Sequence, residues 1–135
     1  MKNLFTLCIL FLCLSATAQQ KDDLKLMVDS AISLEYKVCR DYLSKRIINP
    51  TYLEKLYLID EHYHAIGDLP SSKLFKLLDI YDPRSKKTLS KGIYAWRVST
   101  ILIKDRLTIN IHHIYITCKK RNYHFSSKAA TCGRP

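Results

Sequence analysis

Ile93-Tyr-Ala-Trp-Arg-Val-Ser-Thr-Ile-Leu-Ile103, then Lys104-Asp105, then Arg106-Leu-Thr-Ile-Asn-Ile-His-His-Ile-Tyr-Ile-Thr117 is the stretch whose reading decides the fold. Two runs rich in β-branched and aromatic residues meet at a polar pair, which predicts an antiparallel β-hairpin. In the first run Tyr94, Trp96, Val98, Thr100 and Leu102 share one face, and Ala95, Arg97, Ser99, Ile101 and Ile103 the other. The second run changes phase: Leu107, Ile109 and Ile111 alternate one way, and Ile114, Ile116 and Cys118 the other. Keeping all six on one face takes one extra residue at His112-His113, a β-bulge, and this is the expectation. The alternative is a strand buried on both faces. A lone hairpin is marginal in water, so further strands or a helix must cover it.

Upstream, Leu24, Met27, Val28, Ala31, Ile32, Leu34, Val38 and Tyr42 recur at helical spacing after Asp22-Asp23. This predicts an amphipathic helix that ends near Ser44, with Lys45-Arg46 suiting its C-terminal dipole. Asn49-Pro50 breaks the pattern, because the residue before proline is pushed out of helical geometry. Leu56 to Ile59 suits a short buried strand, and Glu61 to Ser72 a connection punctuated by Gly67 and Pro70. Residues 73–81 fit helix or strand, with a slight lean to strand. The basic run Arg84 to Lys91 reads as a turn or one helical turn capped by Gly92 in the left-handed conformation. Lys119 to Asn122 makes a polar turn and Tyr123-His124-Phe125 starts another strand, while residues 126–135 hold few core formers and are expected to be a disordered tail. The fold class that follows is α+β: one long N-terminal helix packed on a mainly antiparallel sheet of four to five strands. A cystatin-like or nuclear-transport-factor-like roll is one such arrangement, possessed of no implied activity.

The first residues carry an address. Lys2, the apolar run Leu4 to Leu14, and small Ala16 and Ala18 predict a secretory signal peptide over residues 1–18, cleaved after Ala18. The apolar run is too short to span a bilayer, and Leu12 before Cys13 does not suit lipidation. Cleavage leaves a single domain over residues 19–125 and its tail, periplasmic or secreted and without a transmembrane anchor. Cys39, Cys118 and Cys132 then remain, enough for one disulfide in an oxidising compartment. Cys39 with Cys118 would staple helix to sheet, and Cys118 with Cys132 would tie down the tail; buried thiols are the other reading.

Charge is lopsided. Residues 19–83 hold nine Lys/Arg and eleven Asp/Glu, whereas residues 84–135 hold twelve Lys/Arg against Asp105 alone. Such a field favours anionic partners at a strength that falls with salt. Lys86, Lys87, Lys91, Arg97, Arg106, Lys119, Lys120 and Arg121 are the expected contact surface, for an anionic envelope polymer or lipid headgroup rather than nucleic acid. The aromatics Tyr94, Trp96, Tyr115, Tyr123 and Phe125 could stack on bases, but a sheet core uses them equally well. His62, His64 and His112 are weak metal-ligand candidates among Asp60, Glu61, His113 and His124, and no metal or other cofactor is expected. No Gly-x-Ser-x-Gly, His-Glu-x-x-His or glycine-rich phosphate loop occurs, so no catalytic residue is assigned.

The Ala-Thr-Ala-Gln-Gln start (residues 16–20) and Lys91-Gly92-Ile93-Tyr94-Ala95-Trp96-Arg97-Val98 resemble small exported proteins of uncharacterised function from Gram-negative bacteria. The resemblance implies an exported domain and no activity. Such proteins run on into one more aromatic-rich strand where this chain has Thr131-Cys132-Gly133-Arg134-Pro135, which leaves the sheet an open edge near Tyr123 to Phe125. The expected function is a non-catalytic structural or interaction protein of the cell envelope. A binding module for an anionic envelope glycan or lipid is the first alternative, and a small secreted hydrolase the second.

Overall fold

A computed structural model describes the backbone of residues 2–45 and 50–127, and the side chains of residues 20–45 and 53–127. Helix α1 (Lys2–Lys45) is followed by strand β1 (Tyr57–Ile59), helix α2 (Lys86–Lys91) and strands β2 (Ile93–Ile103), β3 (Arg106–Lys119) and β4 (Asn122–Ser126). Three 3-10 turns, each opened by a proline, join them at Pro50–Lys55, Pro70–Leu74 and Pro83–Ser85. A proline suits that first position because its fixed φ matches the turn and no N–H is needed there. The fold is α+β as expected: a long N-terminal helix on a four-stranded mixed sheet of order β1-β2-β3-β4. β1 runs parallel to β2, and the other pairings are antiparallel.

The hairpin holds in full, but the bulge does not. The β2–β3 register runs unbroken from Ile93↔Ile116 through Trp96↔His113 and Arg97↔His112 to Ile103↔Arg106, closed by Lys104-Asp105. The change of phase in β3 is instead served by two cores on opposite faces of the sheet. On one face Ile109 and Ile111 join Trp96, Val98 and Leu58 against Ile32, Cys39 and Leu43 of α1. On the other, Ile114, Ile116 and Cys118 join Ile93, Ala95 and Ile59 of β1 under Ile80 and Leu89 from the 60–92 connection. An extra residue is unnecessary because each half of the strand buries a different face.

Helix α1 ends at Lys45, close to expectation, and its backbone continues N-terminally to Lys2. Its buried stripe is Val28, Ile32, Tyr36, Cys39 and Leu43, spaced three or four apart, so Leu24, Met27, Leu34 and Val38 from the expected apolar set stay exposed. Two polar ties set its approach to the sheet. Asp29 Oδ1 accepts from the Ser71 N–H at 2.7 Å, and Lys25 Nζ donates to Asp68 Oδ2 at 2.6 Å. That bond from Lys25 holds the Asp68 carboxyl below the ordinary aspartate range.

Residues 73–81 are neither helix nor strand. A 3-10 turn ends at Leu74, and a single parallel bridge, Tyr57↔Lys76, is all that segment adds to the sheet. Phe75 and Ile80 face the two different cores, which prevents one continuous buried stripe. Gly92 takes a positive φ as expected, but with ψ 143 rather than the left-handed helical value. The Tyr115 ring packs where a Cβ would stand, so two independent constraints demand glycine there. The β3–β4 loop puts both Lys120 and Arg121 at positive φ, the two-residue geometry that matches strand twist. β4 pairs with β3 from Lys119↔Asn122 to Tyr115↔Ser126, so Ser126 belongs to the sheet; Ser127 is exposed and outside any element, and residues 128–135 of the expected tail lie outside the described residues.

Candidate functional site

Short-range geometry builds one basic groove. Lys87 and Lys91 lie four apart on α2 and so share a helix face. Gly92 then turns the chain directly into β2, placing Ile93 and Tyr94 beside them. Across the sheet edge, Lys55 and Tyr57 flank Leu56, whose carbonyl accepts from the Lys76 N–H at 2.8 Å. That bond and the Tyr57↔Lys76 bridge bring Lys76 alongside β1. The result is an open groove of about 460 Å³ lined by Lys55, Tyr57, Lys76, Lys87, Thr88, Lys91, Gly92, Ile93 and Tyr94. All four lysines are exposed, with Tyr57 half-buried and Ile93 buried. Lysines so placed lay their stems on an apolar floor and keep their ammonium groups in water. The lining holds no carboxylate, imidazole or thiol.

The expected basic surface therefore divides. Lys87 and Lys91 enter the groove, and Lys86 opens the same helix. Lys119, Lys120 and Arg121 lie at the same end of the sheet, because the Ile93↔Ile116 pairing sets the start of β2 beside the end of β3. Arg106 is at the opposite end of β3, roughly 40 Å away at about 3.3 Å per residue. Arg97 faces neither group: it is half-buried, donates from Nη1 to Tyr63 Oη at 2.9 Å and lies 5.5 Å from the centre of that ring. Lys55 and Lys76, which complete the groove, were not expected, since they sit in the part of the chain with no net basic character. Only the β1 edge and the bridge bring them in.

The histidines also sort by face. Asp60 Oδ1 accepts the backbone N–H groups of both His62 and His64, at 2.8 and 2.9 Å, and both imidazoles stay exposed. His62 Nε2 sits 3.4 Å from Glu61, and His64 Nδ1 sits 3.7 Å from Asp79. His112 is exposed on the face of Arg97. These three do not form a ligand set among the described residues. Its neighbour His113, on the helix face, meets Glu35 and Cys39 instead.

The Cys39–Cys118 staple is not formed. Cys118 is a buried free thiol, and Cys39 is disulfide-bonded to a cysteine outside the described side chains. The reason is topological: Cys39 belongs to the helix-side core and Cys118 to the core on the other face, so the sheet stands between them. The pairing of Cys118 with Cys132 fails with it.

No family model matches the chain, and neither a curated protein nor a solved structure is significantly similar to it.

Proposed function

We propose that this chain is an exported, non-catalytic binding module of the cell envelope, and that its lysine groove holds the phosphate or carboxylate groups of an anionic glycan or lipid headgroup. The observation that carries the reading is the convergence of Lys55, Lys76, Lys87 and Lys91, from three separate segments, on one groove whose lining has no acidic side chain. Like charges gathered without a counter-charge repel one another, and an anion bound among them removes that cost. The groove is open and its lining has no imidazole, carboxylate or thiol, which favours holding a charged chain over cleaving it. The signal-like pattern of residues 1–18 supports a location outside the cytoplasm, where glycans and headgroups would supply the anion.

The test is retention on an immobilised sulfated or phosphorylated glycan, read against salt. An exposed ion pair at 4 Å is worth about 1 kcal/mol in water, so a Lys76→Glu, Lys91→Glu double variant loses at least two contacts and about thirtyfold in affinity at low salt. Arg106→Glu, at the far end of β3, is expected to leave the groove's share of binding intact. Equal losses in both variants, or retention unchanged by high salt, would overturn the groove as the site.

A further inference from the structure

Beneath α1 a second set of polar groups meets, independent of the groove. Glu35 and Cys39 are four apart on the buried edge of the helix, and His113 rises to them from β3, opposite Trp96. Glu35 Oε1 is 3.5 Å from His113 Nε2 and 3.7 Å from Cys39 Sγ, and all three ligand atoms lie within 4.8 Å of one another. A disulfide sulfur has no proton, so the contact from Cys39 is not a hydrogen bond while that bond exists. The His113 ring stacks on Trp96 at 4.9 Å and 8°, which fixes its plane. Cys39 is fully buried, and the His113 side chain is 14% exposed.

Two of these separations, Glu35 to His113 and Glu35 to Cys39, match a metal's ligand shell, and Cys39 and His113 lie within 4.8 Å of each other. Tetrahedral zinc with bonds of about 2.3 Å to sulfur and about 2.0 to 2.1 Å to nitrogen and oxygen sets its N and O ligands about 3.3 Å apart, and its S and O ligands about 3.6 Å apart. The observed 3.5 and 3.7 Å need movements of only tenths of an ångström. What stands in the way is covalent: zinc binds thiolate, and the Cys39 sulfur is in a disulfide.

We propose that Glu35, Cys39 and His113 form a redox-gated zinc site, closed by the Cys39 disulfide and opened by its reduction. A dithiol reductant attacks the disulfide through a mixed disulfide and leaves as its own cyclic disulfide, carrying away the two electrons' worth of oxidation. Two thiols remain on the protein, that of Cys39 and that of its former partner. Zinc then takes Cys39 as thiolate, releases its proton to solvent, and bonds His113 Nε2 and Glu35 Oε1. A water completes the four-coordinate shell. Loss of zinc and reoxidation close the gate. The site thereby reports whether the chain is in a reducing or an oxidising compartment.

Cobalt(II) titration of the full chain tests this, because thiolate ligation gives a near-ultraviolet sulfur-to-metal charge-transfer band. Protein reduced with excess dithiol and desalted under argon is expected to bind one equivalent of cobalt with that band, and zinc to displace it. Oxidised protein is expected to show none. His113→Ala and Glu35→Gln should each weaken binding by at least the roughly tenfold that loss of an outer partner costs, and Cys39→Ser should abolish the band. Cys118→Ala, in the other core, should leave it unchanged. Trp96 emission of the metal-free variants checks that the pocket is folded. A band in oxidised protein, its absence in reduced protein, or its survival in Cys39→Ser would overturn the proposal, as would binding equal to wild type in both His113→Ala and Glu35→Gln.

Discussion

Replacing Trp96 by phenylalanine should cost almost nothing, although Trp96 is the largest fully buried side chain among the described residues. It sits at the centre of the helix-side core, 5.2 Å from the Phe75 ring, 6.3 Å from Tyr36 and stacked on His113. Truncation to alanine removes that whole contact set and is expected to cost about 3 to 5 kcal/mol. Phenylalanine keeps the ring at the stack and loses roughly two ring carbons and the N–H. At about 0.8 kcal/mol per buried carbon group the apolar loss is about 1.6 kcal/mol. Against it stands the indole Nε1, which is buried without a hydrogen-bond partner among the described residues. An unsatisfied buried donor costs about 1 to 3 kcal/mol, and phenylalanine removes it. The two terms oppose, so Trp96→Phe should lie within about 1 kcal/mol of wild type. Urea unfolding followed by far-ultraviolet circular dichroism measures both variants, since the substitution removes the only tryptophan. A loss of about 3 kcal/mol or more in Trp96→Phe would refute the argument, by showing that the indole N–H is satisfied in solution or that the void dominates.

Gly92→Ala should destabilise by about 1 to 3 kcal/mol, because alanine resists the positive φ and its Cβ meets the Tyr115 ring. Trimming the ring in a Gly92→Ala, Tyr115→Ala double variant should relieve only the second part, a non-additivity that thermal melts of both single variants and the double would reveal. Asp82 should titrate below the ordinary aspartate value, held there by the Arg84 side chain first and the Arg84 backbone N–H second. A carboxyl so depressed adds stability that is present above its unfolded value and is lost as pH falls through the folded one. A carboxyl-carbon NMR titration should show the midpoint rising in Arg84→Gln, and an unshifted midpoint in both proteins would contradict the ion pair.

How much was legible in the chain depended on the distance over which each signal acts. The hairpin, its two-residue Lys104-Asp105 loop and the Tyr123 strand were readable, because alternation and turn chemistry are properties of neighbouring residues. The phase change at His112-His113 was visible too, but its meaning was not: the pattern alone does not say whether a strand buries one face or two. The site residues show the same limit. Lys87 and Lys91 carry their own helical spacing, whereas Lys55 and Lys76 have no local mark and join them only through the bridge beside β1. His112 and His113 were equivalent as letters, and the face of the sheet on which α1 rests selected His113.

Sequence by itself thus determined the α+β class, the long helix, the β2–β3 hairpin and the basic second half, since periodicity, helix breakers and charge are local and additive. Tertiary structure alone decided that two cores lie on opposite faces of the sheet, that Cys39 and Cys118 stand apart across it, and that Glu35, Cys39 and His113 meet. Those outcomes depend on which surfaces pack together over separations of tens of residues. That choice is made by the shape and total burial of the whole chain, which no short window of residues contains.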